Sequence, residues 1–356
     1  MRKKVTIQQI ANQAGVSKFS VSRTLTGKPG VSERTRELIV HVAEQLGYYN
    51  HMPISVSDSS AARSGDAGQI NKETRNRGTI LVLFPNVRFQ NYDSAYWGPI
   101  LEGVTTQLNE YGLDILTVTE PSHDNLFSLL NPEAIRGTIT VGAVSSASLF
   151  DLHKLGIPVV MIDHMDASLC CDMIFTDNQT SMRELMQLLV TKGFRSFQFV
   201  GNKTEAYSFF ERWTVFRLIL EQYGIACNQN EMLLKGTFED IGQALTDMQG
   251  TLPEVFVCMN DATALDLIEQ LSRHGIKTPD ECLVTGFDHI NDLHSISVTV
   301  HVNKKMLGMR AVDQMLWRIA NLEAPMEKKQ LAAELVIRNQ LSVPTRGNED
   351  AAVSNN

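Results

Sequence analysis

The chain has 356 residues, of which 43% are hydrophobic and 20% are charged, and it carries a formal net charge of −8. This length suits two or three domains, and the composition is typical of a globular protein with a large core. No apolar run approaches the roughly 20 residues that a membrane span requires, and a polar helix follows Arg2, Lys3 and Lys4. We therefore expect neither a span nor a signal peptide. The five cysteines form no CxxC pair, which favours a reducing cytoplasm and no metal site.

The charge is unevenly distributed along the chain. Residues 1–50 contain eight Lys or Arg and three Asp or Glu, a net charge of +5, so the other 306 residues carry −13. A small basic region on an acidic remainder is the distribution expected when only that region meets the phosphates of nucleic acid.

The basic region begins with two short predicted helices. Thr6 is a good N-cap with Gln9 three positions on, as a capping box requires, and an apolar face of helical period follows. Gly15 can end this helix in the left-handed conformation, and Ser17 caps the second helix. The outward residues of the second helix are polar, basic or aromatic: Lys18, Phe19, Ser22 and Arg23. This arrangement predicts a helix-turn-helix whose second helix recognises DNA.

A third predicted helix completes an all-α domain over residues 1–50. Ser32 is its N-cap, Gly47 ends it, and its inward stripe is expected to be Leu38, Val42, Ala43 and Leu46. Residues 51–78 are rich in serine and small residues without apolar periodicity, which is the composition of a flexible linker.

From residue 79 to residue 344, short apolar runs alternate with amphipathic helical stretches. The predicted strands are Thr79–Phe84, Leu113–Val118, Gly137–Val141, Val159–Asp163, Met173–Thr176, Phe197–Val200, Val255–Met259, Leu283–Phe287 and Ser297–Val302. The predicted helices lie near 97–111, 147–155, 179–192, 211–223, 239–249, 261–274 and 304–321. This alternation predicts an α/β domain of parallel sheets covered by helices, with enough residues for two sheets. The polar tail 345–356 is expected to be disordered.

Several predicted strands end in polar residues, at the edge where parallel sheets bind their ligands. These residues are Asn86, Asp163, Asp177, Asn202, Asn260 and Asp288. The sequence has no G-x-S-x-G, no H-E-x-x-H, no phosphate loop and no G-x-G-x-x-G after the first strand. These features favour a binding protein over an enzyme, and we expect no cofactor.

The basic domain carries a specific motif. From Val5 to Ile39 it reads V-T-I-x-x-I-A-x-x-A-G-V-S-x-x-x-V-S-R-x-L-x-G-x-x-x-V-S-x-x-T-R-x-x-I, which resembles the DNA-binding domain of lactose-repressor (LacI/GalR) family transcription regulators. The remainder is similar to that family's effector domain in the segments Gly156–Asp163, Thr176–Asn178, Asn260–Ala262 and Val284–Asp288. The resemblance implies a helix-turn-helix head and, over residues 79–344, a periplasmic-binding-protein-like pair of α/β subdomains. It also implies a cytoplasmic homodimer that acts as a repressor.

In such proteins the recognition helix enters the major groove of double-stranded DNA, and a dimer reads a pseudo-palindromic operator. The resemblance implies DNA contacts from Thr6, Ser17, Lys18, Phe19, Ser20, Ser22, Arg23, Ser32 and Tyr48. Arg23 is the best candidate for a base contact, because a guanidinium can bond guanine O6 and N7 together. Two alternatives stay open. Phe19 either packs against the third helix or meets a thymine methyl, and Ser17 and Ser32 either cap helices or donate to phosphates.

The resemblance also implies an effector site formed by Trp97, Asp177, Asn178, Arg212, Asn260 and Asp288. An aromatic face stacks on a sugar ring and an arginine fork binds hydroxyls, so the expected effector is a sugar or sugar derivative. The alternatives are core packing for Trp97, a surface salt bridge between Arg212 and a neighbour such as Glu211, and helix capping for the polar strand ends. Val215 stands where the family has glycine, so a packing difference in this helix is expected.

The linker departs from the family pattern, in which x-Pro-Asn and a short hinge helix follow Leu-Gly-Tyr and a leucine wedges into the minor groove. Here residues 49–51 are Tyr-Asn-His, Pro53 interrupts the helix, and Ser57 stands near the leucine position. We favour a flexible tether over a displaced hinge at residues 60–64. The departure motivates a second hypothesis, a sugar-binding protein whose head has lost operator binding. An α/β enzyme with an appended head is a third.

Overall fold

A computed structural model describes residues 6–25, 35, 38, 39, 42, 78–84, 94–119, 131–248, 251–290 and 295–343. The chain separates into two compact units, Met1–Asn71 and Lys72–Asn356, which we call the head and the body. Ser32, Gly47, Tyr48, the linker up to residue 77 and the tail lie outside the described residues. The predictions made for them stay predictions.

The head contains the two predicted helices, α1 (Ile7–Ala14) and α2 (Lys18–Leu25). The capping box is present, since the backbone N–H of Thr6 donates to Oε1 of Gln9 at 2.8 Å and the Thr6 hydroxyl accepts from Gln9 N–H. Gly15 ends α1 with a φ of +65°. The hydroxyl of Ser17 accepts from the backbone N–H of Ser20 at 3.0 Å at the start of α2, so its predicted capping role is confirmed.

The core of the head differs from the prediction at one position. Ile39 and Val42, which are helical, pack with Ile10 and Val21 in a buried cluster. Leu38 was expected to face inward, but it is 46% exposed, so that prediction is wrong. Ile39 lies about 100° further round the helix than Leu38, and this rotation brings it against the two preceding helices.

One half of the body, subdomain A, is built on a six-stranded sheet. Its strands are β1 (Thr79–Leu83), β2 (Asp114–Val118), β3 (Ile135–Val141), β4 (Val159–Ile162), β5 (Asp172–Thr176) and β10 (Lys328–Leu331), in the order β10-β5-β4-β3-β1-β2, and all neighbours are parallel. Its helices are α3 (Trp97–Glu110), α4 (Ser146–Lys154) and α9 (Lys304–Ala320). The central strands are continuous apolar runs because helices bury both faces of the sheet.

The other half, subdomain B, is built on a five-stranded sheet. Its strands are β6 (Phe197–Val200), β7 (Val255–Cys258), β8 (Leu283–Thr285), β9 (Val298–His301) and β11 (Glu334–Ile337), in the order β11-β9-β8-β7-β6. Its helices are α5 (Asn178–Thr191), α6 (Tyr207–Gln222), α7 (Phe238–Asp247) and α8 (Asp261–Arg273). Val215, at the position where the resemblance implied glycine, is buried in the core between α5, α6 and the sheet.

The predicted alternation of strands and helices is confirmed, with two strands missed. These are β10 and β11, one edge strand of each sheet, and β11 runs antiparallel to β9. Their residues are half-buried or exposed, so they lack the apolar run that marks the inner strands. Helix α6 begins at Tyr207, four residues before the predicted start. In the part of the chain that the structure describes, no helix has the length and apolar character to cross a membrane.

The chain passes three times between the subdomains: after β5, after β9, and between β10 and β11. The first passage runs through Asp177 into α5, and the second runs through Asn303 into α9, whose residues pack on the sheet of subdomain A. These passages place the carboxyl ends of the inner strands of both sheets beside one another, which is where the candidate site lies.

Candidate functional site

Polar residues at the strand ends of the two subdomains face each other. Asp163 follows β4 in subdomain A, and Asp288 lies shortly after β8 in subdomain B. The charges of Arg212 and Asp288 perturb the pKa values of both Tyr96 and Asp163, so these four side chains lie within electrostatic range of one another. We call the region bounded by these four residues the cleft. It occupies the position that open α/β sheets use for ligands.

Arg212, on α6, is the centre of the polar contacts in subdomain B. Its side chain is 2% exposed. Nε donates to Oδ1 of Asn178 at 3.0 Å, one terminal nitrogen donates to the carbonyl of Met259 at 2.6 Å, and the other donates to Oδ1 of Asp288 at 3.3 Å. The guanidinium carbon lies 3.6 Å from the centre of the Phe287 ring, a cation–π contact. The guanidinium is therefore fixed in one orientation, with two N–H donors not engaged by these three bonds.

Glu211 is buried beside Arg212 but bonds other partners. Its Oε2 accepts from Nδ2 of Asn178 at 3.0 Å, and its Oε1 accepts from Nε2 of Gln179 at 3.2 Å and lies 3.5 Å from Nζ of Lys328. A surface salt bridge between Arg212 and Glu211 was one alternative from the sequence. It is wrong, because both side chains are buried and each pairs with a different charge.

Asp288 is held by backbone as well as side-chain contacts. It has a φ of +92°, and His289 after it has a φ of +49°, so two consecutive residues adopt a conformation that L residues rarely take. Nζ of Lys304 donates to the carbonyls of both residues, which stabilises this turn. Burial raises the pKa of the Asp288 carboxyl, while the charges of Arg212 and Lys304 lower it. The carboxyl is thus aimed at Arg212 by a strained backbone.

Tyr96 and Asp163 form the wall of the cleft in subdomain A. The Tyr96 hydroxyl donates to Oδ2 of Asp163 at 3.0 Å, and its ring meets Trp97 edge-on at 4.8 Å between centres. The other oxygen of Asp163, Oδ1, is buried and accepts no hydrogen bond among the described residues. Burial raises the pKa of Asp163 to about 7, against the lowering effect of Arg212. An acceptor oxygen without a hydrogen-bond partner thus lies in the cleft, within electrostatic range of the Arg212 guanidinium.

The structure divides the other predicted effector residues into two groups. Asn178 is fully buried and joins Glu211 to Arg212, so it belongs to the site. Asp177 and Asn260 instead cap α5 and α8, accepting from the backbone N–H groups of residues 180 and 263 at 3.0 and 2.9 Å. Asp177 and Asn260 are both only half-buried, so each side chain remains partly accessible beside the strand ends.

Trp97 is half-buried and packs against the core of subdomain A, which was the alternative considered for it. The side chain at the cleft that carries a polar contact is its neighbour Tyr96, which was not predicted as a site residue. Asp163 was noted only as a polar strand end. The pair joins residues 67 positions apart in sequence, so no local spacing could have indicated it.

The predicted DNA-binding residues that the structure describes lie on or beside the first two helices of the head. Lys18 is exposed at the start of α2, and Thr6 and Ser17 cap α1 and α2. The hydroxyls of Ser17 and Ser20 lie 2.9 Å apart. Phe19, Ser22 and Arg23 lie on α2, although their side chains, like Ser32 and Tyr48, fall outside what the structure describes.

Hydrogen-bonding groups and an aromatic ring converge on the cleft. Within the described ranges, no group of three His, Cys, Asp or Glu residues is arranged to hold a metal ion. The groups that converge are fixed donors on Arg212, a free acceptor on Asp163 and an aromatic wall at Tyr96. Such a combination recognises a small polar molecule. Fold and cleft together define a ligand-binding body joined to a helix-turn-helix head.

Comparison with known families identifies both parts. Residues 6–50 match the family of bacterial regulatory proteins of the lacI type, and residues 186–339 match the periplasmic binding protein-like domain. The chain is 25% identical over 350 residues to the HTH-type transcriptional repressor PurR of Vibrio parahaemolyticus, covering 94% of this chain and 98% of the relative. The chain thus combines a LacI-family helix-turn-helix with a periplasmic binding protein-like domain, the arrangement of LacI-family transcription regulators, as the sequence motifs predicted.

Solved structures share the fold over nearly the whole chain. The transcriptional regulator CelR in complex with cellobiose has a TM-score of 0.63 and 19% identity, covering 94% of this chain and 99% of that one. The lac repressor dimer bound to operator and the anti-inducer ONPF has a TM-score of 0.60 and 18% identity, covering 94% and 98%. These likenesses confirm the predicted architecture of a helix-turn-helix head and a paired α/β body.

Proposed function

We propose that this regulator is a cytoplasmic homodimeric repressor whose affinity for a pseudo-palindromic operator is set by a sugar or sugar derivative bound in the cleft. The observation that carries the proposal is that Asp163 of subdomain A, with one oxygen lacking a hydrogen bond, lies within electrostatic range of the rigidly held Arg212 of subdomain B. A ligand that contacts both joins the two subdomains. Such a ligand can shift the protein between states only by binding one of them more tightly.

The groups in the cleft favour a neutral, hydroxyl-rich effector. Three carboxylates (Asp163, Asp288 and Glu211) are balanced by three cations (Arg212, Lys304 and Lys328). The site therefore offers no surplus charge for an ionic ligand to neutralise, whereas a hydroxyl can donate to Asp163 and accept from Arg212. The Tyr96 ring can supply an apolar contact beside them. One structural neighbour has cellobiose bound, which agrees with a sugar.

The effector proposal is tested by thermal denaturation with a panel of mono- and disaccharides that includes cellobiose, followed by calorimetric titration of any sugar that raises the melting temperature. We expect Asp163→Asn to weaken the binding of that sugar by at least about tenfold, because a hydrogen bond to a charged group is lost. The matched control is Asp166→Asn, a half-buried aspartate three residues away whose carboxylate accepts from Ser146 and Ser168. If no member of the panel shifts the melting temperature, or if both variants bind equally, the sugar proposal fails.

In the head, we propose that α2 enters the major groove and that Arg23 contacts a guanine. Thr6, Ser17, Ser20 and Ser32 would donate to phosphates, with Lys18, Phe19, Ser22 and Tyr48 completing the surface. The support is the confirmed helix-turn-helix with its exposed Lys18 and the match of residues 6–50 to the lacI family. A helix N-terminus with a hydroxyl cap, as at Ser17, is suited to a phosphate.

The operator proposal is tested by fluorescence anisotropy with the DNA upstream of the gene, at several salt concentrations. We expect Arg23→Ala to lose about 1–3 kcal/mol of specific binding, the value of one bidentate base contact. Lys154→Ala, which removes one exposed positive charge from the body, serves as the control. Unchanged affinity in Arg23→Ala would support the alternative, a sugar-binding protein with an impaired head, which the atypical linker motivates.

A further inference from the structure

A group of contacts joins the two subdomains beside the cleft. Lys328, on β10 of subdomain A, places its ammonium 4.7 Å from the ring centre of Phe175 and 4.5 Å from that of Tyr207. The same ammonium lies 3.5 Å from Oε1 of Glu211. Phe175 belongs to β5 of subdomain A, whereas Tyr207 and Glu211 belong to α6 of subdomain B. We call these four residues the clasp.

The clasp is connected to the effector arginine through one side-chain amide. Glu211, when ionised, has only acceptor atoms, so the amide nitrogen of Asn178 must face it. The amide oxygen of Asn178 is thereby turned towards Nε of Arg212, from which it accepts at 3.0 Å. If this amide turned over, two donors would face each other at Arg212 and an acceptor would face the carboxylate. Both contacts would become repulsive.

We infer that Glu211 is a positioning residue of the effector site, which fixes the Asn178 amide and through it the Arg212 guanidinium, and which Lys328 anchors from subdomain A. The inference rests on the proposed role of Arg212 in effector binding and adds a route by which that arginine senses the relation of the two subdomains. The positions of Lys328 and Glu211 depend on contacts across the subdomain boundary. A change in that boundary therefore alters the hydrogen bond at Arg212.

The shape-conserving variant Glu211→Gln tests the orientation argument. Glutamine has one acceptor oxygen, but two amides, Asn178 and Gln179, donate to the carboxylate of Glu211. One of them must then meet the new NH₂ group. We expect the Asn178 amide to turn over in part of the molecules, which breaks the bond to Nε of Arg212.

A reversal of donor and acceptor provides the decisive comparison. Asn178→Asp alone puts a carboxyl group where the Asn178 amide nitrogen lies 3.0 Å from Oε2 of Glu211. Two carboxyl groups then meet at this position, and the site is disrupted. In the double variant Asn178→Asp with Glu211→Gln, the glutamine NH₂ donates to one oxygen of the aspartate, and the other oxygen accepts from Arg212. The side-chain oxygen of the introduced glutamine remains available to accept from Gln179 and Lys328. A residue that only fills space would show no such recovery.

The measurement is solvent exchange of the Arg212 Nε–H in ¹⁵N-arginine-labelled full-length protein, with the signal assigned by its absence in Arg212→Lys. We expect exchange to accelerate at least about tenfold in Glu211→Gln and in Asn178→Asp, the factor for losing one buried hydrogen bond. In the double variant it should return to within about threefold of the wild-type rate. Lys328→Met should also accelerate exchange, and Glu221→Gln, exposed on the same helix, should not.

Wild-type exchange in Glu211→Gln, or a double variant no slower than Asn178→Asp, would overturn the positioning role. An unchanged exchange rate in Lys328→Met would show that Lys328 takes no part in positioning Arg212. If Glu211→Gln fails to fold, as judged by circular dichroism, the comparison of the double variant with Asn178→Asp decides alone. No effector is needed, so these results are independent of whether a sugar binds.

Discussion

The carboxyl of Asp163 is expected to make the body less stable as the pH rises. Its pKa is raised from 3.8 to about 7 by burial, although Arg212 lowers it. The folded protein therefore keeps a proton on Asp163 in a pH range where the unfolded chain has already lost it. Between these two pKa values, the free energy of unfolding decreases with rising pH, and above about 7 the loss is complete.

The size of the effect follows from the two pKa values. Each unit of difference corresponds to 1.36 kcal/mol, so between pH 5 and pH 8 the unfolding free energy should fall by about 3 kcal/mol through Asp163 alone. This figure is an upper value, because Asp163 is half-buried and water in the cleft stabilises its charge. Asp163→Asn removes the titration while keeping an acceptor for the Tyr96 hydroxyl, so its stability should lack this component.

The assay is urea denaturation of both proteins at pH 5, 6, 7 and 8, from which the difference in unfolding free energy is taken at each pH. We expect the unfolding free energy of Asp163→Asn to increase relative to that of the wild type as the pH rises, with most of the increase below pH 7. Titrating groups that do not interact with Asp163 contribute equally in both proteins and cancel in the difference. A difference that stays constant over this range would refute the reasoning, because Asp163 would then be ionised throughout.

Two further predictions concern stability. Arg318 donates to both oxygens of the buried Asp172 at 2.7 and 2.8 Å, so Arg318→Met should lower the unfolding free energy by about 3–5 kcal/mol, measured by urea titration. Arg310→Met breaks the salt bridge to Asp313 on the same helix and, in the same titration, should cost less than about 1 kcal/mol. Ile39→Ala leaves a cavity in the head core and should lower the unfolding free energy of the head by about 2–5 kcal/mol, whereas Leu38→Ala should be nearly neutral. Both are measured by the loss of helical circular dichroism in the head, and equal effects would contradict the buried position of Ile39.

The inner part of the fold could be predicted from the sequence because burial on both faces leaves a visible pattern. β1, β4 and β7 are uninterrupted apolar runs, and the amphipathic stretches between them became helices. β10 could not be found in the same way. Its sequence, Lys-Lys-Gln-Leu, is half-exposed, and its pairing with β5 joins residues more than 150 positions apart. Its position is set by pairing with β5, and its own sequence carries no pattern that predicts this pairing.

The candidate site was predictable where a residue follows an apolar run, as Asp288 does after β8. Arg212 was found only by resemblance, because the buried apolar residues beside it on α6 do not by themselves indicate that a charged side chain among them has a binding role. Of the residues that orient it, Asn178 and Asp288 were predicted, whereas Phe287 and the role of Glu211 were missed. Glu211 was considered as its partner on grounds of adjacency, but side chains one position apart on a helix point in different directions. The two consequently bond to different elements, Glu211 towards Lys328 and Arg212 towards Asp288.

The amount of energy needed for regulation is within reach of the groups in the cleft. Moving a two-state equilibrium from 1:99 to 99:1 requires about 5.5 kcal/mol of difference in effector binding between the states. A hydrogen bond to a charged group contributes about 1.5–3 kcal/mol. Asp163 of subdomain A and Arg212 of subdomain B offer such bonds from opposite walls, so a ligand reaches both only when the walls are close. Two or three bonds made in that state alone would suffice to favour it.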